Sequence, residues 1–248
     1  MSKTVAKAVH VLETLAAAPK TIAELARELG VHSSTALRML QPLADGGLIA
    51  RGPEGRYRLG FRLVELGQQV LEEMDLRAVA RPHLIALADA TRSTVHLAQL
   101  VDGQIVYVDK INGAASIRTW SRIGRAVPLH TAAASKVILA ALPAERRDRL
   151  LSAHAFTRYT ERTITDETEF RDHLAEVERL GYATDQAEFE PLVHCLGVGI
   201  PDATGQLAAA VSLTTVRADA DMPELERLLG QVQDTASAIA AALGRSAN

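Results

Sequence analysis

The stretch TIAELARELGVHSSTALRMLQPLADGG, residues 21–47, constrains the fold of this chain more than any other. Thr21 is placed to N-cap a helix, and Glu24 three residues later completes a capping box. Ile22, Leu25 and Leu29 form its apolar face, and Gly30 is a natural residue just past its end. A further helix is expected at once, from about Ser33 to Asp45, capped by Ser33 or Ser34, with Leu37, Leu40 and Leu43 or Ala44 inward. Pro42 inside it is expected to kink or shorten it. Upstream, Val5, Val9, Leu12 and Leu15 repeat at helical spacing until Pro19. A longer helix followed by two short ones across a tight turn is the sequence form of a helix-turn-helix.

The exposed start of the third helix carries Ser33, Ser34, Thr35 and Arg38. Hydroxyls reach phosphates or bases, and an arginine can bracket guanine through two bonds. Leu48–Arg51, the turn Gly52-Pro53-Glu54-Gly55 and Arg56–Leu59 then read as a hairpin, with Arg56 and Arg58 beside its turn as phosphate contacts. Residues 1–60 are therefore expected to be a winged helix-turn-helix that binds double-stranded DNA. The plainer alternative is a helical protein-interaction domain with a solvated basic face. A net charge of −3 argues against nucleic acid only until it is counted by region. Residues 1–62 hold nine basic and five acidic residues, +4; the remainder holds 18 and 25, −7. A basic module is joined to an acidic one.

Residues 61–75 read as an amphipathic linker helix, suited to packing against a partner subunit. Over 76–248 strand and helix patterns alternate. A helix at Leu76–Ala90 is followed by strands at Thr94–Leu100 and Gln104–Ile111 and shorter candidates at Ser116–Trp120 and Arg125–Leu129. Helices are expected at Thr131–Leu142, Ala144–Ala153 and Asp166–Leu180. Strands follow at Tyr182–Phe189, Cys195–Pro201 and Leu207–Val216, and a last helix at Met222–Leu243. Antiparallel strands with helices packed on them make an α+β domain of the sensor type.

Enzyme chemistry finds little support. The chain has no phosphate-cradling GxxxxGK[ST], no GxGxxG after a strand, no G-x-S-x-G and no H-E-x-x-H. His194-Cys195 suggests a nucleophile and base, but neighbours on a strand point to opposite faces. His130, His173 and His194 lack partners at metal-ligand spacing, and a single Cys excludes disulfides and multi-Cys clusters. No catalytic residue, metal or cofactor is expected. No apolar run approaches the ~20 residues of a membrane span, so a cytoplasmic protein away from the membrane is the reading.

Three stretches together resemble the IclR family of transcriptional regulators: the winged helix-turn-helix, VPLHTAAASKVILAAL (127–142), and GYATDQAEFEPLVHCLGVGIPDATGQLAAAVSLTT (181–215). The second is similar to the family's P-L-H-x-T/S-A-x-G-K-A-x-L-A block. The third is similar to its G-Y-x-x-D-x-E-E…C-x-A-x-P segment. Order and spacing agree across nearly the whole chain.

The resemblance implies a GAF-like effector-binding domain that dimerises, often pairing into tetramers. Family pocket positions fall on Ala133, Ala134, Asp185, Cys195, Ser212 and Thr214, with Val127 and Val193 on the wall and Ser116 and Thr119 beside them. The residue chemistry agrees. Small side chains at the start of the helix near Thr131 let a carboxylate approach its free amides. Ser212 and Thr214, two apart on one strand, face the same side. The chain departs from the family pattern at Ser135 and Leu192, where glycine is usual, and at Ala187, where one of two paired acids is usual. The expected effector is a small, polar organic acid, given 4% aromatic residues; an aromatic acid, a ligand-free dimerisation module and a sensor-type enzyme are the alternatives.

Overall fold

The structure, a computed structural model, describes residues 3–72, 75–114, 120–216 and 226–246, and the chain divides into two units between Met74 and Asp75. The first unit comprises α1 (Lys3–Ala17), α2 (Ile22–Glu28), α3 (Ser33–Asp45), β1 (Ile49–Arg51), β2 (Tyr57–Leu59) and α4 (Arg62–Glu72). The capping box at α2 forms as read: Glu24 N–H donates to Thr21 Oγ1 at 3.3 Å, and Thr21 N–H donates to Glu24 Oε2 at 2.6 Å. Gly30 takes φ +62°, which lets its amide reach Arg27 O while Val31 N–H reaches Ala26 O. That closure turns the chain sharply into α3.

Three local expectations are corrected. His32 is the N-cap of α3 and makes no side-chain cap bond, so neither Ser33 nor Ser34 caps; both lie exposed in the first turn. Leu37 is 47% exposed, because Ala36 and Leu40 supply the buried stripe with Leu43 packed beside them. Pro42 neither ends nor shortens α3, which continues to Asp45; the bond its missing N–H forgoes is the one to the Arg38 carbonyl. Val11, Leu15, Leu25, Leu29, Leu40, Ile49 and Tyr57 form the core. The β1–β2 hairpin pairs Ile49 with Leu59 and Arg51 with Tyr57, and the Lys20 backbone pairs with Tyr57 from the other side.

The second unit holds α5 (Asp75–Thr91), β3 (Thr94–Val101), β4 (Gln104–Ile111), α6 (Ala133–Ala141), α7 (Ala144–Leu151), α8 (Glu167–Leu180), β5 (Tyr182–Gln186), β6 (Val193–Pro201), β7 (Leu207–Val216) and α9 (Leu229–Ser246). The strands form one antiparallel sheet in the order β4-β3-β7-β6-β5. Asp102 (φ +48°) and Gly103 (φ +79°) make the tight β3–β4 turn, whose handedness matches the strand twist. Register places Val95, Leu97, Leu196, Val198, Val211 and Leu213 on one face. Thr94, His96, Ser212, Thr214, Cys195, Gly197 and Asp185 share the other, and α6 packs on it.

Some strand limits differ from the sequence reading. Arg125–Leu129 is not a strand; only an isolated bridge joins Ala126 to Val106. β5 stops at Gln186, and β6 starts two residues early, at Val193, after a loop with Ala187 and Leu192 at positive φ. The expected strand at Ser116–Trp120 lies outside the described residues except for Trp120, as do residues 217–225 before α9.

Candidate DNA-binding surface and ligand pocket

α3 presents its first turns to solvent. Ser33, Ser34 and Arg38 are exposed and Thr35 is half-buried; Ser34 and Arg38, four residues apart, share a face. Arg58 is exposed on β2. Arg56 is placed differently from the other basic candidates. Its Nε and Nη2 both donate to Pro19 O, at 3.3 and 3.1 Å, and Nη2 pairs with Glu24 Oε2 at 3.2 Å.

In the second unit, three neighbouring strands deliver Asp185, Cys195 and Thr214 in one row, since Asp185 pairs with Cys195 and Cys195 with Thr214. Cys195 Sγ lies 3.2 Å from Thr214 Oγ1, which lies 3.4 Å from His96 Nδ1. His96 Nε2 meets Ser121 Oγ at 2.8 Å, and Lys110 Nζ donates to the same hydroxyl at 2.9 Å. Burial drives His96 down to about 3, so the ring is neutral and one nitrogen donates while the other accepts. Asp185 Oδ1 accepts the Glu188 N–H at 2.8 Å. Burial and the nearby Glu188 charge push the Asp185 carboxyl up to about 7. Burial, with Asp185 beside it, also raises the Cys195 thiol well above its usual range. A thiol held protonated is a pocket wall, not a nucleophile.

His96, Ser121, Asp185, Cys195 and Thr214 line a small cavity with Tyr107, Trp120, Glu190 and Val193. Ala132, the N-cap of α6, also lines it and places no side-chain cap over the helix start. The Ser135 hydroxyl turns back to the carbonyls of Pro128, Leu129 and Ala132, at 2.7–3.0 Å. The family's glycine is thus replaced by a side chain that points away from the open amides. The cavity measures about 30 Å³, room for roughly two waters, so an organic acid enters only if its walls part. Phe189 stands edge-on to Trp120 (centroids 5.0 Å apart), and the Trp120 backbone N–H donates to Glu190 Oε1 at 3.1 Å.

Of the sequence candidates, Asp185, Cys195, Thr214 and Val193 line the cavity. Ala133 and Ala134 are buried behind it: a Cβ on Gly197 would stand 2.8 Å from the Ala133 carbonyl carbon, so these two alanines pack on β6. Val127 belongs to the core, where its amide donates to Ile105 O at 2.8 Å. Ser212 is buried one register step further on, between His96 and Gly197. Ser116 and Thr119 lie outside the described residues. Sequence reasoning missed His96, Tyr107, Ser121 and Glu190. It also missed the fully buried Lys136, whose Nζ pairs with Glu188 at 2.6 and 2.7 Å and donates to Thr184 O. The signal was there for Lys136, since a lysine in the otherwise apolar AASKVILAA is buried only if paired.

A winged helix-turn-helix carried in one chain with an α+β domain defines a DNA-binding transcriptional regulator, and comparison with known proteins gives its family. Residues 4–53 match the IclR helix-turn-helix domain, and residues 68–241 match the bacterial transcriptional regulator IclR C-terminal domain. The chain belongs to the IclR family. It is 34% identical to the HTH-type transcriptional regulator XynR of Escherichia coli (strain K12) over 90% of this chain and 89% of that one. The Thermotoga maritima IclR structure superposes with a TM-score of 0.81 at 30% identity, covering 98% of this chain and 100% of that one. An IclR homolog from Microbacterium hydrocarbonoxydans, solved in complex with 4-hydroxybenzoate, gives 0.80 at 28% identity, covering 97% and 98%. The family is one of transcriptional regulators, not enzymes. Among the described residues no helix is long and apolar enough to cross a membrane.

Proposed function

We propose that this regulator binds double-stranded operator DNA as a cytoplasmic homodimer or homotetramer, and that a small organic acid in the cavity beside α6 sets its DNA affinity. The convergence of Asp185, Cys195 and Thr214 from three strands on a cavity at an uncapped helix start carries this reading. The open amides and the helix dipole favour an anion there. The three aromatic walls, Tyr107, Trp120 and Phe189, favour a second reading in which the acid is aromatic; one structural relative holds 4-hydroxybenzoate. A dimer would set two α3 helices in successive major grooves, about 34 Å apart. The exposed apolar residues of α4, Val64 and Val70, suit a helix that meets a second copy.

A thermal-shift screen of aliphatic hydroxy and keto acids against aromatic acids, with each hit retested for altered duplex binding, separates the readings. No shift with any acid would leave a ligand-free dimerisation module. On the DNA side, Arg38→Ala is expected to lose about 1–3 kcal/mol on operator DNA and little on random DNA. Equal losses on both would remove its base-reading role.

A further inference from the structure

We propose that Arg56 is a positioning residue for the wing: its guanidinium, bridging Pro19 and Glu24, clamps the β1–β2 hairpin to the start of α2 and sets the angle at which Arg58 meets the duplex. This rests on the reading of the hairpin as a DNA-contacting wing. The geometry is a shared anchor. Glu24 Oε2 accepts from the Thr21 amide at 2.6 Å, the Thr21 hydroxyl at 2.9 Å and Arg56 Nη2 at 3.2 Å. The carboxylate that begins α2 therefore also holds the wing. Both guanidinium contacts to Pro19 O act on the connector that leads from α1 into α2.

The backbone continues the clamp one residue on. Lys20 N–H donates to Tyr57 O at 3.0 Å and Tyr57 N–H to Lys20 O at 2.6 Å, while the Tyr57 side chain is buried in the core. Arg56 is thus fastened by its side chain and Tyr57 by its backbone and ring, leaving Arg58 as the next residue free to reach outward. With Nε and Nη2 engaged, only Nη1 remains open, so the two-nitrogen fork that grips a phosphate is no longer on offer. The pair is too exposed, at 41% and 36%, to contribute much stability. Orientation of the hairpin is what it has to offer.

A phosphate contact and a positioning residue differ in sign and in salt dependence. The test is fluorescence anisotropy of the full chain on a labelled random-sequence duplex across a salt series, with thermal unfolding as a control. Arg56→Ala is expected to weaken binding roughly three- to tenfold with the slope of log affinity on log salt unchanged. Glu24→Gln keeps a capping-box side chain but removes the charge. It is also expected to weaken binding, although removing an acid near DNA would by charge alone strengthen it. Arg58→Ala is expected to lower the slope by about one. Tighter binding by Glu24→Gln, or a slope lowered by about one in Arg56→Ala, overturns the proposal. An unchanged slope in Arg58→Ala removes the wing contact itself, and the clamp's purpose with it.

Discussion

Leu192 occupies φ +69°, a left-handed conformation that a side chain with a Cβ enters at a cost. It stands where the family pattern has glycine, and its side chain is 53% exposed, so its replacement forfeits little packing. Leu192→Gly is expected to stabilise the chain by about 0.5–1 kcal/mol in urea unfolding. No gain would mean that the leucine contributes contacts the exposed site does not suggest. Ala187 carries the same strain at φ +61°. The two bracket a loop held elsewhere by Lys136–Glu188, by Thr160 Oγ1 on Ala187 O at 2.8 Å, and by Thr163 Oγ1 on Glu188 O at 2.7 Å. At this scale the sequence was partly legible. Asp185, Cys195 and Thr214 could be placed together by strand parity and family spacing. His96 could not, because its meeting with Thr214, 118 residues away, depends on the β3–β7 register.

At the scale of elements, α6 lies so close on β6 that the position facing it has to be glycine. A Cβ at Gly197 would meet three backbone atoms of Ala133 and Ala134 within 3.1 Å, and backbone cannot swing aside as a side chain can. Gly197→Ala is expected to cost about 1–3 kcal/mol in urea unfolding and to shift the start of α6, which is the end that borders the cavity. A variant as stable as the parent would show that the helix can lift away freely. The helix-turn-helix was legible almost residue by residue, since capping box, Gly30 turn and hairpin are all local. The exceptions are informative. Serines in the first turn of α3 drew the cap one residue too late, and the turn geometry put His32 there instead. Arg125–Leu129 looked like a strand because its branched and apolar residues feed the core, yet it makes only one bridge.

Over the whole molecule, buried histidines and a buried acid act in opposite senses on the response to acid. His96 is lowered to about 3 and His173 to about 4, both chiefly by burial. His130 and His154 are lowered too, and their rings meet at 2.7 Å, with His130 Nε2 on Thr157 O. Each folded value lies below the ordinary 6.5 or so of an unfolded histidine. Their contribution is therefore complete above about 6.5 and is lost as pH falls toward the folded values. Asp185 acts in the opposite sense: raised to about 7 from 3.8, it favours the folded state at low pH and loses that contribution as pH rises through 7. The melting temperature is expected to fall between pH 7 and pH 5, and to fall more steeply in Asp185→Asn, which keeps an acceptor for the Glu188 amide but no longer takes up a proton. A shallower fall in the variant would place the raised acid elsewhere. None of this charge behaviour was visible in a net charge of −3, which averages a basic unit with an acidic one and hides both the basic residues of the first unit and the buried pairs.

The measurement that bears most directly on the regulator's working is duplex affinity with and without an acid found in the thermal screen, compared between the parent and Thr214→Val. Thr214 lines the cavity in the second unit, whereas the side chains proposed to contact DNA belong to the first. The acid is expected to change the parent's affinity by roughly 5–150-fold, the range of a 1–3 kcal/mol coupling, and to change the variant's far less. An acid effect of equal size in both proteins would contradict a ligand site in this cavity.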